Sequence, residues 1–288
     1  MRLIASGFIA LLFVGCSQTP PPEPPRPAPA TNTAPKALEA RHSPSAVVEV
    51  ARRSEKIPLL PPSPARLTTH SAQGITFEGV TFDSRSHRLA VIDQSGGPGS
   101  RFPDAARAAA SCQAIAAINA GFFTPEGDPL GLVVSNGRAS GAWNSASSLG
   151  SGVWLQQPSG HLSIVRRQAL GKSVAKSQQE LIQAGPMLIE NSRPVSGLEN
   201  AKSTVRTLIL WDGNTRWWIG QASACTLLQL SQALAHTQPA GWPVRHALNL
   251  DGGRSSDLWV SSNVSGGPLT RRAPWNRPVR NFLALVPR

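Results

Sequence analysis

The sequence lacks the short motifs that mark the common classes of enzyme and cofactor site. It has no Walker loop, no GxSxG nucleophile elbow, no metal-ligand spacing and no internal repeat, and its six histidines are not clustered. These absences give no support to P-loop nucleotide hydrolases, α/β hydrolases, zinc sites or solenoid folds. We therefore expect no cofactor, and the sequence assigns no metal.

Long apolar runs are also scarce. The chain opens with Met1-Arg2, followed by 13 residues from Leu3 to Gly15 among which only Ser6 is polar. Spanning a bilayer takes about 20 apolar residues, so this stretch is too short to be a membrane span. A charged start followed by a short apolar run is typical of a secretion signal, which we predict over residues 1–15.

The end of this signal resembles a bacterial lipobox. Phe13-Val14-Gly15-Cys16 places apolar and small residues before a cysteine, although Phe13 replaces the usual Leu. The resemblance implies lipidation of Cys16 and a lipid-anchored protein of the bacterial cell envelope. Ser17 in place of Asp favours the outer membrane, facing the periplasm. The alternative is an ordinary secretory signal with a chance cysteine.

A proline-rich segment follows the signal. Seven prolines lie between residues 20 and 29, and the residues after them include almost no large apolar groups. Such a composition cannot bury enough surface to fold, and its proline-rich part is a stiff, extended spacer. We expect residues 16–66 to be a disordered tether and residues 67–288 to form the folded domain.

Acidic residues are few, which gives the chain a formal net charge of +12. The basic residues are spread singly or in short pairs such as Arg166-Arg167, and no basic stripe or nucleic-acid motif is present. Nucleic acid is therefore not an expected partner. Because guanidinium groups bind phosphate in bidentate fashion, the charge indicates anionic ligands such as phosphates or envelope polymers.

Cysteine is rare as well. Apart from Cys16, the chain contains only Cys112 and Cys225. An exported protein reaches an oxidising compartment, so we expect a disulfide between these two residues. Two buried free thiols are the alternative.

The chain does contain many short strand patterns separated by turns. Apolar alternation predicts strands at 74–83 and 87–94, and helices are predicted at 104–112 and from Thr226 to about Ala235. Hairpin signatures surround three turns, Asn136-Gly137, Pro158-Ser159-Gly160 and Asp212-Gly213-Asn214. The predicted fold class is α+β, a single domain of mixed, largely antiparallel sheets with a few helices.

Three predicted strands end in glycines and small polar residues. The segments are Ala117-Ile118-Asn119-Ala120-Gly121, Gln183-Ala184-Gly185-Pro186 and Leu250-Asp251-Gly252-Gly253-Arg254-Ser255-Ser256. Glycines at a strand end let a ligand approach the backbone and expose N–H groups that bind anions. Taken alone, each segment is more often an ordinary turn.

In this order, the segments resemble the phosphodiester glycosidase family. The resemblance extends from about Ala105 to the end of the chain, and the matching positions are Asn119, Gly121, Gly131, Gly185, Pro186, Arg206, Asp251 to Ser256, and Asn281. The family pattern has a glycine where this chain has Ala120, and another where it has Arg254. The second departure lies on the side that would contact the substrate's phosphate.

The resemblance implies hydrolysis of the bond between a sugar's anomeric carbon and a phosphodiester oxygen, with a sugar phosphodiester or envelope glycan as partner. Asp251 is the expected catalytic carboxylate, and Arg206 is expected to bind the phosphate or to fix Asp251. Asn119 is expected to hydrogen-bond sugar hydroxyls. The other expected substrate-binding residues are Gly121, Gly185, Gly252, Gly253, Arg254, Ser255, Ser256 and Asn281.

Each role has a structural alternative. Asp251 alternatively caps its own turn, Arg206 forms a structural ion pair, and Asn119 bonds its own loop. Glu126 and Asp128 are either solvated turn residues or the source of a second carboxylate. For the whole protein, the alternative is a non-catalytic envelope lipoprotein that binds glycan or phosphate polymers in the same pocket.

Overall fold

The structure, a computed structural model, describes residues 61–288. The predicted signal peptide 1–15, the predicted lipidation site Cys16 and most of the predicted tether 16–66 lie outside the described residues. The first strand begins at Arg66. Between residues 61 and 288, no helix has the length and apolar character needed to cross a membrane.

Among residues 61–288, strands are more abundant than helices, and the predicted α+β class is confirmed. In chain order the strands are β1 (Arg66–Ala72), β2 (Ile75–Asp83), β3 (His87–Asp93), β4 (Ala116–Asn119), β5 (Val133–Ser135), β6 (Arg138–Ser140), β7 (Gly152–Gln156), β8 (Leu162–Arg166), β9 (Glu180–Ala184), β10 (Met187–Glu190), β11 (Arg193–Pro194), β12 (Thr204–Trp211), β13 (Arg216–Cys225), β14 (His246–Asn249), β15 (Leu258–Val260), β16 (Leu269–Arg271) and β17 (Asn281–Pro287). The helices of this part are α1 (Ala105–Ala110), α2 (Lys172–Lys176) and α3 (Leu227–His236), with short 3-10 turns at Ser148–Gly150, Arg167–Ala169 and Gly253–Ser255.

Neighbouring strands pair in antiparallel fashion within three sheets. The first sheet has the order β1-β2-β13-β12-β14-β10-β11, the second β16-β15-β4-β17-β3, and the third β6-β5-β9-β7-β8. The three predicted hairpins are present as the pairs β5–β6, β7–β8 and β12–β13. In the first of these, Asn136 and Gly137 both have positive φ, at 49° and 74°, as a two-residue turn between right-twisted strands requires.

Side-chain caps determine where the two predicted helices begin. The carboxylate of Asp104 accepts the N–H of Arg107 at 2.8 Å and starts α1. Thr226 and Gln229 form a reciprocal capping box that starts α3. The first helix packs on the second sheet and α3 packs on the first sheet, so each covers a face that would otherwise expose apolar side chains.

One apolar core is shared by all three sheets. It contains Phe82 and Ile209 from the first sheet, Leu89 and Leu283 from the second, and Trp154 from the third, all of them buried. Because every sheet contributes side chains to the same cluster, none can separate without exposing apolar surface to water. The strand ends at the margin of this core are consequently held in fixed relative positions.

The predicted disulfide is wrong, because Cys112 and Cys225 are both free thiols. Cys112 follows α1 and packs between that helix and the second sheet, whereas Cys225 ends β13 and packs beneath α3 on the first sheet. Burial raises the pKa of the Cys225 thiol to about 11 and also raises the pKa of Cys112. Cys225 is buried and Cys112 is partly buried, so both side chains pack as small apolar groups, and the raised pKa values disfavour the nucleophilic thiolate.

A buried carboxyl group joins the second sheet to the third. Oε2 of Glu180 on β9 accepts the N–H of Val91 on the edge strand β3 at 3.0 Å, and the Ser135 hydroxyl donates to the Val91 carbonyl at 2.6 Å. Burial raises the pKa of Glu180 to about 7. Gln156 lies directly opposite Glu180 in the β7–β9 pair, and its buried Oε1 has no hydrogen-bond partner among the described residues.

At about pH 8, the free energy of unfolding of the Glu180→Gln variant is expected to exceed that of wild type. The pKa of Glu180 is about 7 in the folded state against 4.5 for an unperturbed glutamate, so wild type loses stability as pH rises from 4.5 to 7. The loss of unfolding free energy is at most about 3 kcal/mol. Glutamine does not ionise, so the variant avoids this loss, and its side-chain N–H can donate to Gln156. Urea unfolding at about pH 4 and pH 8 measures the difference in unfolding free energy between the two proteins.

The exposed Glu126→Gln variant serves as the control, since it makes the same change in a solvated turn. Equal unfolding free energies for wild type and Glu180→Gln at both pH values would contradict the burial of an uncharged Glu180.

Candidate active site

The candidate site forms where strand ends meet at the margin of the core. Strand β4 ends at Asn119, β14 ends at Asn249 shortly before Asp251, and β17 begins at Asn281. The N–H of Asp251 donates to the carbonyl of Ala120 at 2.9 Å, and the Ala120 N–H donates to the Asn281 carbonyl at 3.1 Å. The structure thus brings together the first and third glycine-containing segments and the predicted Asn281.

The Gly185-Pro186 segment joins the same site through Asn249. Nδ2 of Asn249 donates to the Gly185 carbonyl at 2.9 Å, and its backbone N–H donates to the Pro186 carbonyl at 3.1 Å. A Cβ on Gly185 would lie 2.2 Å from the carbonyl oxygen of Ser148. Only glycine allows the two backbones to approach this closely, so Gly185 shapes the site by packing.

Asp251 supplies the half-buried carboxylate of the site. Burial raises the pKa of its carboxyl to about 6, while a hydrogen bond from the Ser255 hydroxyl, another from the Gly252 N–H and the charge of Lys202 each act to lower it. The group is therefore ionised above about pH 6 and remains more basic than an exposed aspartate. A carboxylate of this kind can accept a proton or attack an electrophilic carbon.

The turn after Asp251 keeps backbone and side-chain donors close to the carboxylate. Gly253 has a φ of 61°, a left-handed conformation that favours glycine. Ser255 and Ser256 are both buried. The Ser255 hydroxyl bonds Asp251, and the hydroxyl of Ser256 lies 3.4 Å from that of Thr207. Contact of either serine with a substrate remains a prediction.

Asn119 is completely buried, and its amide positions the Asp251 turn. Its Nδ2 donates to the carbonyl oxygen of Asp251 at 2.6 Å, while its Oδ1 accepts the Thr207 hydroxyl at 2.8 Å and the Asp257 N–H at 2.9 Å. These bonds turn the amide toward the protein. The structure therefore gives Asn119 a positioning role, and its predicted contact with sugar hydroxyls remains a prediction.

Arg206 anchors a loop beside the site. Its Nε donates to the carbonyl of Cys225 at 3.0 Å and its Nη2 to the carbonyl of Lys202 at 2.5 Å, with the Glu199 carboxylate 3.7 Å away. Because the side chain is buried by these contacts, it holds the loop that presents Lys202 to Asp251. A direct role for Arg206 on the phosphate stays a prediction.

Sequence reasoning missed Lys202 and Asn249. Lys202 lies in an irregular loop with no motif to mark it. Asn249 had an available signal, because it stands two residues before Asp251 in a buried strand. Within residues 61–288, the buried Oδ1 of Asn249 and Nδ2 of Asn281 have no hydrogen-bond partner, so one acceptor and one donor are available beside the site. Oδ1 of Asn281 accepts the N–H of Gly121 at 2.6 Å.

The two other candidate carboxylates lie in a separate turn. Glu126 and Asp128 are exposed in a turn that Arg280 holds through the carbonyl of Gly127, so they occupy a solvated turn. Trp217 is buried in the core, whereas Trp275 is largely exposed near Arg254. Within the described part of the chain, no three histidine, cysteine or carboxylate side chains are grouped as metal ligands.

The order of these segments agrees with a known family. The sequence pattern described as phosphodiester glycosidase matches residues 112–286, which include β4, the Asp251 turn and nearly all of β17. The chain belongs to the phosphodiester glycosidase family. Its members are hydrolases by name, so the family membership implies a glycosidase.

Two solved structures share the fold. The zebrafish N-acetylglucosamine-1-phosphodiester alpha-N-acetylglucosaminidase catalytic domain, auto-inhibited by its pro-peptide, is 16% identical with a TM-score of 0.53, over 81% of this chain and 85% of that one. A protein from Burkholderia pseudomallei is 14% identical with a TM-score of 0.52, over 74% of each chain. No curated protein sequence matches the chain. At these identities the structural likeness shows the fold alone.

Asn119→Asp is expected to destabilise the fold by about 2 to 4 kcal/mol, because it replaces the buried donor to the Asp251 carbonyl with a carboxylate oxygen. The free energy of unfolding at neutral pH measures the effect. The control is Asn263→Asp, the same change at an exposed position. Equal stability of the two variants would show that the Asn119 amide does not hold the Asp251 turn.

Proposed function

We propose that this protein hydrolyses a sugar-1-phosphodiester, releasing the free sugar and a phosphomonoester. The observation that carries the proposal is the Asp251 carboxylate, whose pKa burial raises to about 6 at the point where the family's glycine-containing strand ends converge. A perturbed carboxylate held by neighbouring strand ends is typical of a catalytic group. Family membership supplies the reaction class.

The chemistry follows from the two ends of the scissile bond. The bond between the anomeric carbon and the phosphodiester oxygen breaks, its electron pair stays on the phosphate, and water supplies the hydroxyl of the sugar. The transition state resembles an oxocarbenium ion, which ionised Asp251 stabilises or attacks. A phosphate leaves as a weak base, so stabilising its negative charge matters more than protonating it.

The groups beside Asp251 match that requirement. Lys202 carries a positive charge close enough to lower the pKa of Asp251, and the N–H of Gly252 contacts the carboxylate. Arg206 holds the carbonyl of Lys202 and so maintains the loop that carries this charge. We assign Asp251 to the anomeric centre, Lys202 and the turn backbone to the departing phosphate, and Arg206 to positioning the loop.

The choice of test substrate draws on the zebrafish relative, whose name specifies an N-acetylglucosamine-1-phosphodiester. UDP-N-acetylglucosamine contains that linkage and serves as the first probe. Free sugar released by wild type is the direct readout. Binding without release would favour the non-catalytic envelope-binding protein.

Asp251→Asn is expected to lower kcat by at least about a hundredfold, or about 2.7 kcal/mol of barrier, because it removes the charge that the transition state requires. Its melting temperature at about pH 8 should equal or exceed that of wild type, since the raised pKa means that ionised Asp251 is unfavourable in the fold. Near-normal turnover of the variant would remove Asp251 from the mechanism.

The pH profile of wild type adds a second test of the same group. Ionised Asp251 is the active form and its pKa is about 6, so kcat/KM should fall tenfold per pH unit below about 6 and level off above it. Asp212→Asn, in the turn of the β12–β13 hairpin, is the control and should retain the wild-type profile.

We also propose that the protein acts in the bacterial cell envelope, anchored through lipidated Cys16. The lipobox-like residues before Cys16 support this placement. Cys16→Ser is expected to abolish partitioning into a detergent phase, because the acyl chains contribute about 0.8 kcal/mol per buried CH₂. Fractionation of cell membranes in high salt measures the loss, and Ser17→Ala is the control. A Cys16→Ser protein that stays with the membranes would overturn the anchor.

A further inference from the structure

A groove of about 560 Å³ leads away from the Asp251 turn. One wall includes Gly253, Arg254 and Ser256, and the opposite wall includes Arg271, Arg272 and Trp275. Because Gly253 belongs both to the turn and to the groove, a phosphate placed on the turn would continue into this groove. The groove therefore lies on the side where the substrate's aglycone would leave.

Hydrogen bonds fasten the two walls to each other. Nδ2 of Asn276 donates to the carbonyl of Ser256, and the N–H of Arg277 donates to the Arg254 carbonyl at 2.8 Å. Nη2 of Arg272 donates to the Asn276 carbonyl at 3.3 Å. A groove built this way needs little ordering when a ligand enters, which favours binding.

The charges of the groove are unequal. Nε and Nη2 of Arg271 pair with the Glu78 carboxylate at 2.7 Å each, and Nη1 of Arg272 pairs with buried Asp257 at 3.0 Å. Arg254 is exposed, and the contacts that the described residues give its guanidinium run to the Trp275 carbonyl at 3.2 Å. None of the residues that line the groove is acidic. Arg254 therefore presents a positive charge that no groove residue neutralises.

Trp275 adds an apolar face beside this charge. It is 68% exposed, one of two large apolar residues of the described chain with such exposure, while most tryptophans here are in or against the core. Its backbone carbonyl accepts hydrogen bonds from the Arg254 guanidinium, so the charge lies next to the residue that carries the indole. An exposed indole is a surface on which a planar ring stacks.

We propose that the groove is the aglycone subsite for a diphosphate, in which Arg254 binds a second phosphate beyond the scissile one and Trp275 stacks on a planar ring. The proposal rests on the proposed function for the location of the scissile bond. It assigns a role to Arg254, one of the two positions at which this chain departs from a glycine of the family pattern. A guanidinium fork suits phosphate oxygens, whereas glycine offers them no side-chain donor.

Three substrates separate these contributions. All carry N-acetylglucosamine, linked as a methyl phosphodiester, as a methyl diphosphodiester, or to uridine diphosphate. The first has no second phosphate, the second has one without a ring, and the third has both.

Arg254→Gln is expected to raise KM about tenfold for the two diphosphate substrates and to leave the methyl phosphodiester unchanged. Trp275→Ala is expected to raise KM for the uridine diphosphate substrate alone. The matched control is Arg277→Gln, which removes the charge of an exposed side chain outside the groove lining while keeping the backbone N–H that bonds the Arg254 carbonyl, and it should leave all three values unchanged. An equal effect of Arg254→Gln on all three substrates, or none on any, would overturn the subsite.

Binding of uridine diphosphate, measured by calorimetry, distinguishes failure of the subsite from failure of the proposed hydrolysis. If wild type binds this diphosphate without releasing sugar, and Arg254→Gln weakens the binding while Arg277→Gln does not, the subsite is supported and the proposed hydrolysis is refuted. If wild type hydrolyses the substrates but Arg254→Gln matches wild type in turnover and binding, the hydrolysis is supported and the subsite is refuted. If wild type does not bind uridine diphosphate, the subsite is also refuted.

Discussion

The architecture of the site depends on one buried amide. Asn119 ends a strand of the second sheet, yet its side chain bonds the Asp251 carbonyl and the Thr207 hydroxyl, which belong to the strands and turn of the first sheet. An unpaired amide at this depth would be costly, so the three hydrogen bonds are required together and fix the relation of the sheets. These hydrogen bonds hold the Asp251 turn in place.

That constraint explains how an unfavourable carboxylate is retained. The fold holds Asp251 where burial raises its pKa, and offsets part of the cost with the Ser255 hydroxyl and the Gly252 N–H. Glu180 is also buried with a raised pKa, but it bonds a strand edge and lies away from the glycine-containing turns. Asp251 and Glu180 therefore have different roles, and of these two the one held among glycine N–H groups is suited to catalysis.

The sequence predicted the elements better than the contacts between them. Alternation and Asn136-Gly137-type turns are local signals, so strands, hairpins and both capped helices were recoverable. The free state of Cys112 and Cys225 was not, because their placement in two separate core clusters depends on sheet order, which no spacing encodes. Asp251 was identifiable from its glycine-rich turn. Lys202 was not, since its loop is placed by contacts with residues distant in sequence, among them the bond from Arg206 to the Lys202 carbonyl and the bond between Thr226 and Asn200.

Several of the arginines form ion pairs within the fold and are therefore not available to bind anionic ligands. Arg280 pairs with Asp93 and Arg271 with Glu78, and both pairs join segments distant in sequence. Arg272 pairs with Asp257, 15 residues before it. Arginine is suited to such pairs because its planar fork satisfies a carboxylate with two parallel bonds. The net charge alone therefore overstates how much of the surface is available to anions. An anionic ligand is expected where a positively charged side chain near the Asp251 turn has no carboxylate partner. Arg254 lies within that turn without a carboxylate partner among the groove residues, and the charge of Lys202 acts on Asp251, so both positive charges are compatible with the proposed phosphate-containing substrate.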